Sequence, residues 1–407
     1  MIVKGEKMNT EKIHAVMQNY VDTHEIAGGS LLVISEKEEL FRGKWGYCDR
    51  EAQKPVEYDN IFRLMSMTKP MVAVAVMICA ERGLLDIDEP VSLYLPEFSD
   101  IQVNHDSKYA NGPDAMKKLP LLLPFFKINK VKTQPASRGI TARELLSHSS
   151  GMQQGTVGLL SFLKGVPQFQ SLGEEVSYYA KQPLDFEPGT GTGYSPFAGF
   201  DVLGYLVEVV SGKRLEDFIR EEICDPLEMY DTGFFLTKVK QDRLVKVYKR
   251  KGESLKDVTG TKNDMAGMMR QDAILFEHGC GGAYSTLDDY SHFARMLLCE
   301  GSYQGRQLLK PETVRLMRSE APHEHLEPDP GFVWGLGMKI RQDPVKGNSP
   351  ATPGTYGWSG AFGTHFFVSP DDGLAAVFMT NRSDLEGSAS PVSRRIEEMV
   401  FEKDENV

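Results

Sequence analysis

The chain has 407 residues, of which 41% are hydrophobic and 25% charged, a composition typical of a soluble globular protein. Its 46 basic and 57 acidic side chains give a net charge of −11, which argues against a nucleic-acid partner because such binders need a basic face. The longest apolar run, residues 71–80, is about half of the roughly 20 residues that cross a membrane, so we expect no membrane span. No apolar secretory segment opens the chain, and the cysteines form no CxxC pair. These features predict a cytoplasmic protein without disulfides or a zinc site.

The first hundred residues predict a helix, two strands and a second helix. Apolar side chains recur at helical spacing over residues 13–21, and strand-like runs follow at residues 30–35 and 39–47. Residues 67–82 are almost continuously apolar and predict a buried helix, with Gly83 as its C-terminal stop.

Residues 103–139 differ from their surroundings. They hold seven basic and two acidic side chains, a local charge of +5, and an apolar run, residues 119–126, that two prolines interrupt. We interpret the segment as an irregular excursion from the core. It is either a surface loop with a few buried anchors or a lid over a substrate pocket, since long ordered loops often serve function.

The rest of the chain predicts helices first and strands later. Helical patterning covers residues 141–148 and 198–210, the second segment being stopped by Gly212. Strand-like segments at 332–340, 363–369 and 374–380 precede a final helix at 392–401.

This order favours an α+β fold in which one sheet is built from both ends of the chain. We predict a discontinuous sheet domain from residues 1–98 and 276–407, flanked by the N- and C-terminal helices. A mainly helical domain, residues 99–275, would be inserted between them and would contain the 103–139 excursion.

A Ser-x-x-Lys pattern, Ser66 to Lys69, carries the first chemical prediction. On a helix this spacing puts both side chains on one face, where they can act as nucleophile and base. Pro70 is tolerated only in a first helical turn, so it places Ser66 at the helix start, beside backbone N–H groups that can receive an oxyanion. The alternative is that Ser66 merely caps the helix.

A glycine-rich loop, residues 186–196, supplies a candidate for a second proton carrier. Its glycines allow sharp turns, and Tyr194 follows them just before the predicted helix at 198–210. A tyrosine at a helix entrance is more often a packing residue, so the pattern alone leaves both interpretations open.

Taken together, these segments resemble the class C β-lactamase-like serine hydrolases. Ser66 to Lys69 is similar to the family's first motif, and Tyr194 falls on its motif tyrosine. Residues 145–151 resemble its LLTHTSG segment, and residues 279–286 its GGGGLxST turn. The resemblance runs from about residue 10 to 400 in family order and implies a β-lactamase/transpeptidase-like fold. The active site would hold Ser66, Lys69 and Tyr194.

Two positions depart from the β-lactamase pattern. Pro196 replaces the asparagine that follows the motif tyrosine, and Trp358 replaces the lysine or histidine of the third motif, here Trp358-Ser359-Gly360. Both changes look like the esterase and acyltransferase branch. The resemblance implies a substrate pocket at Pro196, Trp358, Ser359 and Gly360, with an oxyanion hole formed by the backbone N–H groups of Ser66 and Ala361.

We therefore expect a serine hydrolase, without cofactor or metal, that acts through an acyl-enzyme on a small-molecule ester or amide. The alternatives are a D-amino-acid peptidase or weak β-lactamase and, less favoured, an inactive ligand-binding homologue. His148 is expected to be structural, capping the turn at 149–151, and the His-Glu-His at 323–325 a solvated loop without metal spacing. The physiological substrate and the oligomeric state stay open.

Overall fold

A computed structural model of the chain describes residues 2–3, 6–111, 115–269, 273–321, 329–387 and 390–402. Within them, the central feature is an antiparallel eight-stranded sheet with the order β4-β5-β6-β7-β8-β1-β2-β3. Its strands are β1 Gly28–Ser35, β2 Glu39–Asp49, β3 Lys54–Pro55, β4 Phe332–Trp334, β5 Lys339–Arg341, β6 Tyr356–Ser359, β7 His365–Ser369 and β8 Leu374–Met379. Strands from both ends of the chain thus meet where β8 pairs with β1, as the sequence predicts. The domain boundaries at 98/99 and 275/276 stay predictions.

Helices cover both faces of the sheet and fill the middle of the chain. They are α1 Thr10–Asp22, α2 Thr68–Glu81, α3 Ala115–Leu122, α4 Ala142–Leu146, α5 Thr156–Lys164, α6 Leu172–Tyr179, α7 Ala198–Ser211, α8 Leu215–Ile219, α9 Lys238–Gln241, α10 Met265–Met268, α11 Leu287–Leu298, α12 Pro311–Met317 and α13 Pro391–Phe401. Two-stranded pairs join Phe62–Arg63 to Tyr284–Ser285, Gln102–Asn104 to Thr133–Pro135, Tyr248–Lys251 to Ser254–Asp257, Ser302–Tyr303 to Arg306–Gln307, and Ile2–Val3 to Glu6–Lys7.

Both faces of the central strands are buried because alternate residues enter different cores. In β1, Leu32 and Ile34 join the core that contains α2, α7 and α11, whereas Leu31 and Val33 pack under α1 and α13. Successive strand side chains point to opposite faces, so a strand covered on both sides is apolar throughout. The N- and C-terminal helices therefore flank one face of the sheet, as expected.

The predicted helices form close to their expected ends. Gly83 and Gly212 follow α2 and α7 with left-handed φ angles of 69°, the conformation that a glycine stop supplies. Thr141 caps α4 in a capping box with Glu144.

The prediction of one strand at residues 332–340 is wrong. The segment forms two strands, β4 and β5, that pair in a hairpin with Phe332 opposite Arg341. Gly335 and Gly337 lie in the turn, and Gly337 has a φ of 84° that other residues rarely adopt. The two glycines within the run were the signal for a turn.

The 103–139 segment is more ordered than an irregular loop. It contains α3, and three of its apolar side chains, Tyr109, Leu119 and Phe126, form a small core with Val157 and Leu160 of α5. The segment is therefore anchored to the helical region.

No helix within the described residues is long and apolar enough to cross a membrane. The His-Glu-His at 323–325 lies outside the described residues.

Gly337 gives a test of how tightly the β4–β5 hairpin packs on the helix that follows Ser66. A Cβ at Gly337 would lie 2.4 Å from the Ala73 Cβ of α2, whereas a Cβ at Gly354, which has the same φ of 84°, would meet nothing within 4 Å. We expect Gly354→Ala to cost about 1 to 2 kcal/mol of unfolding free energy for the left-handed backbone alone. Gly337→Ala should cost clearly more, because overpacking adds about 1 to 3 kcal/mol. Equal losses in urea denaturation would contradict this packing.

Candidate functional site

Ser66 lies in a one-turn 3₁₀ helix, Met65–Met67, that leads directly into α2. Met65 has a left-handed φ of 50°, a conformation that costs a non-glycine residue of order 1–3 kcal/mol and persists only where neighbours enforce it. Those neighbours are visible. The Tyr290 hydroxyl donates to the Met67 carbonyl at 2.8 Å, and the Thr68 Oγ1 accepts the Ala283 N–H at 3.1 Å.

A buried ion pair fixes the chain just before this turn. The Arg63 guanidinium meets the Asp264 carboxylate through Nε at 2.6 Å and Nη2 at 2.9 Å, and its Nη1 donates to the Val245 carbonyl at 2.7 Å. Bidentate pairs of this kind restrict orientation as well as distance, so the direction in which Ser66 leaves the strand is set.

The structure brings the three predicted catalytic side chains together. The Tyr194 hydroxyl donates to Ser66 Oγ at 2.7 Å, and Lys69 Nζ donates to the same oxygen at 3.3 Å. Lys69 is fully buried, whereas Tyr194 is 36% exposed. A candidate nucleophile thus has two proton-carrying groups within hydrogen-bond reach, one of them open to the outside.

Backbone carbonyls complete the surroundings of the Lys69 amine. Its Nζ donates to the Pro196 carbonyl at 2.9 Å and to the Cys280 carbonyl at 2.5 Å. The ring centres of Tyr194 and Phe200 lie 5.2 and 5.6 Å from the same nitrogen, within the range of cation–π attraction. A buried ammonium needs such partners, because an isolated buried charge is strongly unfavourable.

Aromatic rings form one wall of the site. Tyr194 stacks on Trp334 with ring centres 6.2 Å apart, and Trp358 lies 5.2 Å from Tyr194 and 4.9 Å from Trp334. The structure therefore places Trp358 beside Tyr194, and its role in a substrate pocket stays a prediction. Trp334 was not among the predicted residues, because it lies 24 positions before Trp358 and reaches it only through the pairing of β4, β5 and β6.

His148 is buried against this wall, but it does not cap the 149–151 turn through its ring as we expected. Its Nδ1 accepts the Ser195 N–H at 3.2 Å, and its ring packs 4.9 Å from Tyr194 and 4.3 Å from Trp334. Burial, and secondarily the charge of Lys69, holds the pKa of His148 well below its usual value. A neutral ring that accepts a backbone N–H next to Tyr194 fixes the loop that carries the tyrosine.

Gly360 brings the end of β6 against the Ser66 turn. A Cβ at this position would lie 2.1 Å from the Leu64 carbonyl oxygen, and the Thr364 hydroxyl donates to the same oxygen at 3.0 Å. A glycine is thus required at position 360, and Ala361 follows it beside the segment that carries Ser66. The oxyanion-hole role of the Ala361 N–H stays a prediction.

The Ser359 side chain lies away from Ser66, Lys69 and Tyr194. Its Oγ lies 2.7 Å from His365 Nδ1, and His365 Nε2 lies 3.4 Å from Glu397 of α13. These side chains line a cavity of about 230 Å³ beside α13. Since successive strand residues face opposite sides, Trp358 and Ser359 cannot both point toward Ser66. The pattern of alternation could have shown this.

Another cavity, of about 530 Å³, lies beside Tyr194, which hydrogen-bonds to Ser66. Tyr194 and Pro196, Leu159 and Phe162 of α5, and Leu119 of the 103–139 segment are among the residues that line it. None of the described residues that line it carries a charged side chain. The segment is therefore anchored on α5 and contributes to the lining of this cavity. Its role as a lid over a substrate pocket stays a prediction.

This chain is similar in sequence and in fold to known proteins. The profile of the Beta-lactamase family matches residues 13–400. An uncharacterized protein of Mycobacterium tuberculosis is 30% identical over 91% of this chain and 90% of its own length, and Esterase EstB of Burkholderia gladioli is 27% identical over 96% and 94%. Among solved structures, EstCE1, a hydrolase with promiscuous acyltransferase activity, matches with a TM-score of 0.77 and 25% identity over 96% of this chain and 98% of its own.

The neutral state of His148 predicts a pH-dependent stability. In the unfolded chain a histidine takes up a proton below about pH 6.5, whereas the buried ring does not. The stability that this site contributes is therefore present above that pH and is lost as the pH falls. Between pH 7 and pH 5 the difference in unfolding free energy between wild type and His148→Gln should shrink by about 1 to 2 kcal/mol. Urea denaturation at both pH values measures it, and a constant difference would contradict a neutral His148.

Proposed function

Because this chain belongs to the Beta-lactamase family, we propose that it is a serine hydrolase that cleaves small-molecule esters through an acyl-enzyme on Ser66. One observation carries the proposal, namely that Tyr194 and Lys69 both hydrogen-bond to Ser66 Oγ. The likeness to an esterase over nearly the whole chain supports the substrate class.

The geometry supports a two-step reaction. Ser66 Oγ bonds to the ester carbonyl carbon while its proton passes to the Tyr194–Lys69 pair, which accepts it in the form in which one of the two groups has already lost a proton. The carbonyl oxygen becomes an oxyanion that the N–H groups of Ser66 and Ala361 receive. The C–O bond then breaks, and the leaving alcohol takes the proton. Water or another alcohol attacks the acyl-enzyme in the same way and releases Ser66, giving an acid or a new ester.

The pocket favours an uncharged acyl group. Its described lining combines apolar side chains, among them Leu119, Leu159 and Phe162, with uncharged polar ones and carries no charge. Trp358, beside Tyr194, stands where a cationic third-motif residue would hold a carboxylate. Losing a charged hydrogen bond forfeits about 1.5–3 kcal/mol, which lowers the affinity for an anionic β-lactam by about one to two powers of ten. This weakens the β-lactamase and peptidase alternatives.

Labelling with a fluorophosphonate tests the nucleophile. The reagent should modify wild-type protein once, at Ser66, and Ser66→Ala should abolish both labelling and turnover of a p-nitrophenyl butyrate ester. Ser161→Ala is a matched control, because Ser161 heads the chain's other Ser-x-x-Lys pattern but lies in the interior of α5. It should label and turn over as wild type does.

Two results would contradict this proposal. Absence of label at Ser66 would exclude the acyl-enzyme mechanism, and rapid turnover of a chromogenic cephalosporin without ester turnover would make the chain a β-lactamase instead.

Leu119 tests the covering segment. This side chain is 6% exposed and lines the cavity, whereas Leu121, two residues on, is 74% exposed. Leu119→Phe should shorten the pocket and reduce kcat/KM for p-nitrophenyl octanoate at least about tenfold relative to the acetate, since each excluded methylene forfeits about 0.8 kcal/mol. Leu121→Phe should leave the chain-length profile unchanged. If Leu119→Phe and Leu121→Phe have the same dependence of kcat/KM on acyl chain length, the segment does not shape the acyl pocket.

A further inference from the structure

The first turn of α7 helps to position two of the carbonyl groups that accept hydrogen bonds from the Lys69 amine. Two of its three oxygen partners are the carbonyls of Pro196 and Cys280, which lie 84 positions apart in the chain. Pro196 is two residues before α7 begins at Ala198. Asp201, in the first turn of α7, accepts the Cys280 N–H with its Oδ1 at 3.0 Å. The start of α7 therefore fixes both carbonyls.

The turn that carries Cys280 is held on its other side by a histidine carbonyl. The N–H groups of Gly281 and Gly282 both donate to the His278 carbonyl, at 3.1 and 2.8 Å. With the Cys280 N–H bound to Asp201, the 278–282 turn has little freedom to move away from Lys69.

Asp201 is also part of a buried charge cluster. His278 Nδ1 lies 3.3 Å from Glu175 Oε2 and 3.9 Å from Asp201 Oδ2, and the Tyr179 hydroxyl donates to Glu175 Oε1 at 2.8 Å. Burial lowers the pKa of His278, but the hydrogen bonds and charges of Asp201 and Glu175 outweigh it and raise this pKa to about 9. Burial, followed by the charge of Asp201, raises the pKa of the Glu175 carboxyl. Asp201 therefore joins this cluster to the turn that faces Lys69.

We propose that Asp201 is a positioning residue for Lys69: its hydrogen bond aims the Cys280 carbonyl at the amine, and its charge balances the ammonium. This rests on the proposed function, since Lys69 has a catalytic part only if Ser66 is acylated. Asp201 touches neither Ser66 nor Tyr194 and acts through the 278–282 turn and the start of α7.

A metal ion would use the same groups differently. Single ligand atoms of Asp201, His278 and Cys280 lie within 4.8 Å of one another. In the structure, however, Asp201 Oδ1 already accepts the Cys280 N–H, and His278 Nδ1 lies 3.3 Å from Glu175 Oε2. This arrangement favours an ion cluster over a metal site.

Other ionisable groups face Lys69 from the neighbouring elements. Tyr194 precedes α7, and His148 follows α4 with a pKa far below its usual value because of burial and the Lys69 charge. Among these neighbours, Asp201 is the carboxyl group that connects to the amine, through the Cys280 N–H and the Cys280 carbonyl.

Asp201→Asn separates charge from geometry, because the amide oxygen can still accept the Cys280 N–H. We expect kcat for the p-nitrophenyl ester and the rate of fluorophosphonate labelling to fall at least about fivefold, with KM within twofold. The pH at half-maximal rate should move down by about 0.5 unit or more, because removing a negative charge lets protons leave neighbouring groups more easily. Asp201→Ala, which loses the hydrogen bond as well, should lose about tenfold more in kcat.

Asp289→Asn is the matched control. Asp289 is also a buried first-turn aspartate, in α11, and it accepts the Asp231 N–H at 2.8 Å, but it lies in a different cluster. Its rates and pH profile should equal those of wild type. Glu175→Gln provides a second variant if Asp201→Asn does not fold: it removes one charge without touching the Cys280 N–H, so the pH midpoint should move down while kcat at the optimum falls less.

Three outcomes are decisive. If wild type is not labelled at Ser66, the proposed function fails and this inference with it. If wild type is labelled but folded Asp201→Asn and Asp201→Ala keep wild-type kcat and pH profile, the positioning role alone is overturned. If a chelator removes wild-type activity and Zn²⁺ restores it, the cluster is a metal site and the positioning role is likewise overturned.

Discussion

The buried Lys69 ammonium is the constraint on which the rest of the site depends. A charge taken out of water needs several well-placed oxygen partners, and here they come from Ser66, Pro196 and Cys280. Those three residues belong to separate segments. The helix α2, the loop before α7 and the 278–282 turn must therefore reach their final positions together, or the amine is left without a partner.

An aromatic wall lies beside the same amine. A cationic residue at position 358 would stand close to the Tyr194 ring, whose centre is already 5.2 Å from Lys69 Nζ. Trp358 avoids that like-charge contact and packs on Trp334 instead. Trp358 therefore places an uncharged aromatic side chain beside Tyr194 where the related β-lactamases have a cationic one.

Local patterns predicted the parts of the molecule that depend on neighbours in the chain. The ends of α2 and α7 follow from Gly83 and Gly212, and the Ser66–Lys69 spacing from the helical period. The fold class and Tyr194 came from the order of motifs. What escaped prediction depends on register or on backbone atoms. Trp334 meets Trp358 only through strand pairing, and the Pro196 and Cys280 carbonyls have no side-chain signal, because every residue carries a carbonyl.

At position 196 this chain has a proline where the related β-lactamases have an asparagine, and the two residues contribute different groups to the site. The family asparagine at this position offers a side-chain amide to a substrate, and proline removes it. The proline carbonyl, however, still accepts from Lys69 Nζ, and Pro196 lines the cavity of about 530 Å³ beside Tyr194. Since proline also fixes φ near −65°, it restricts the chain between Tyr194 and the first turn of α7. The substitution thus gives up a polar contact with the substrate while it stiffens the connection on which the placement of both Tyr194 and the Lys69 amine rests.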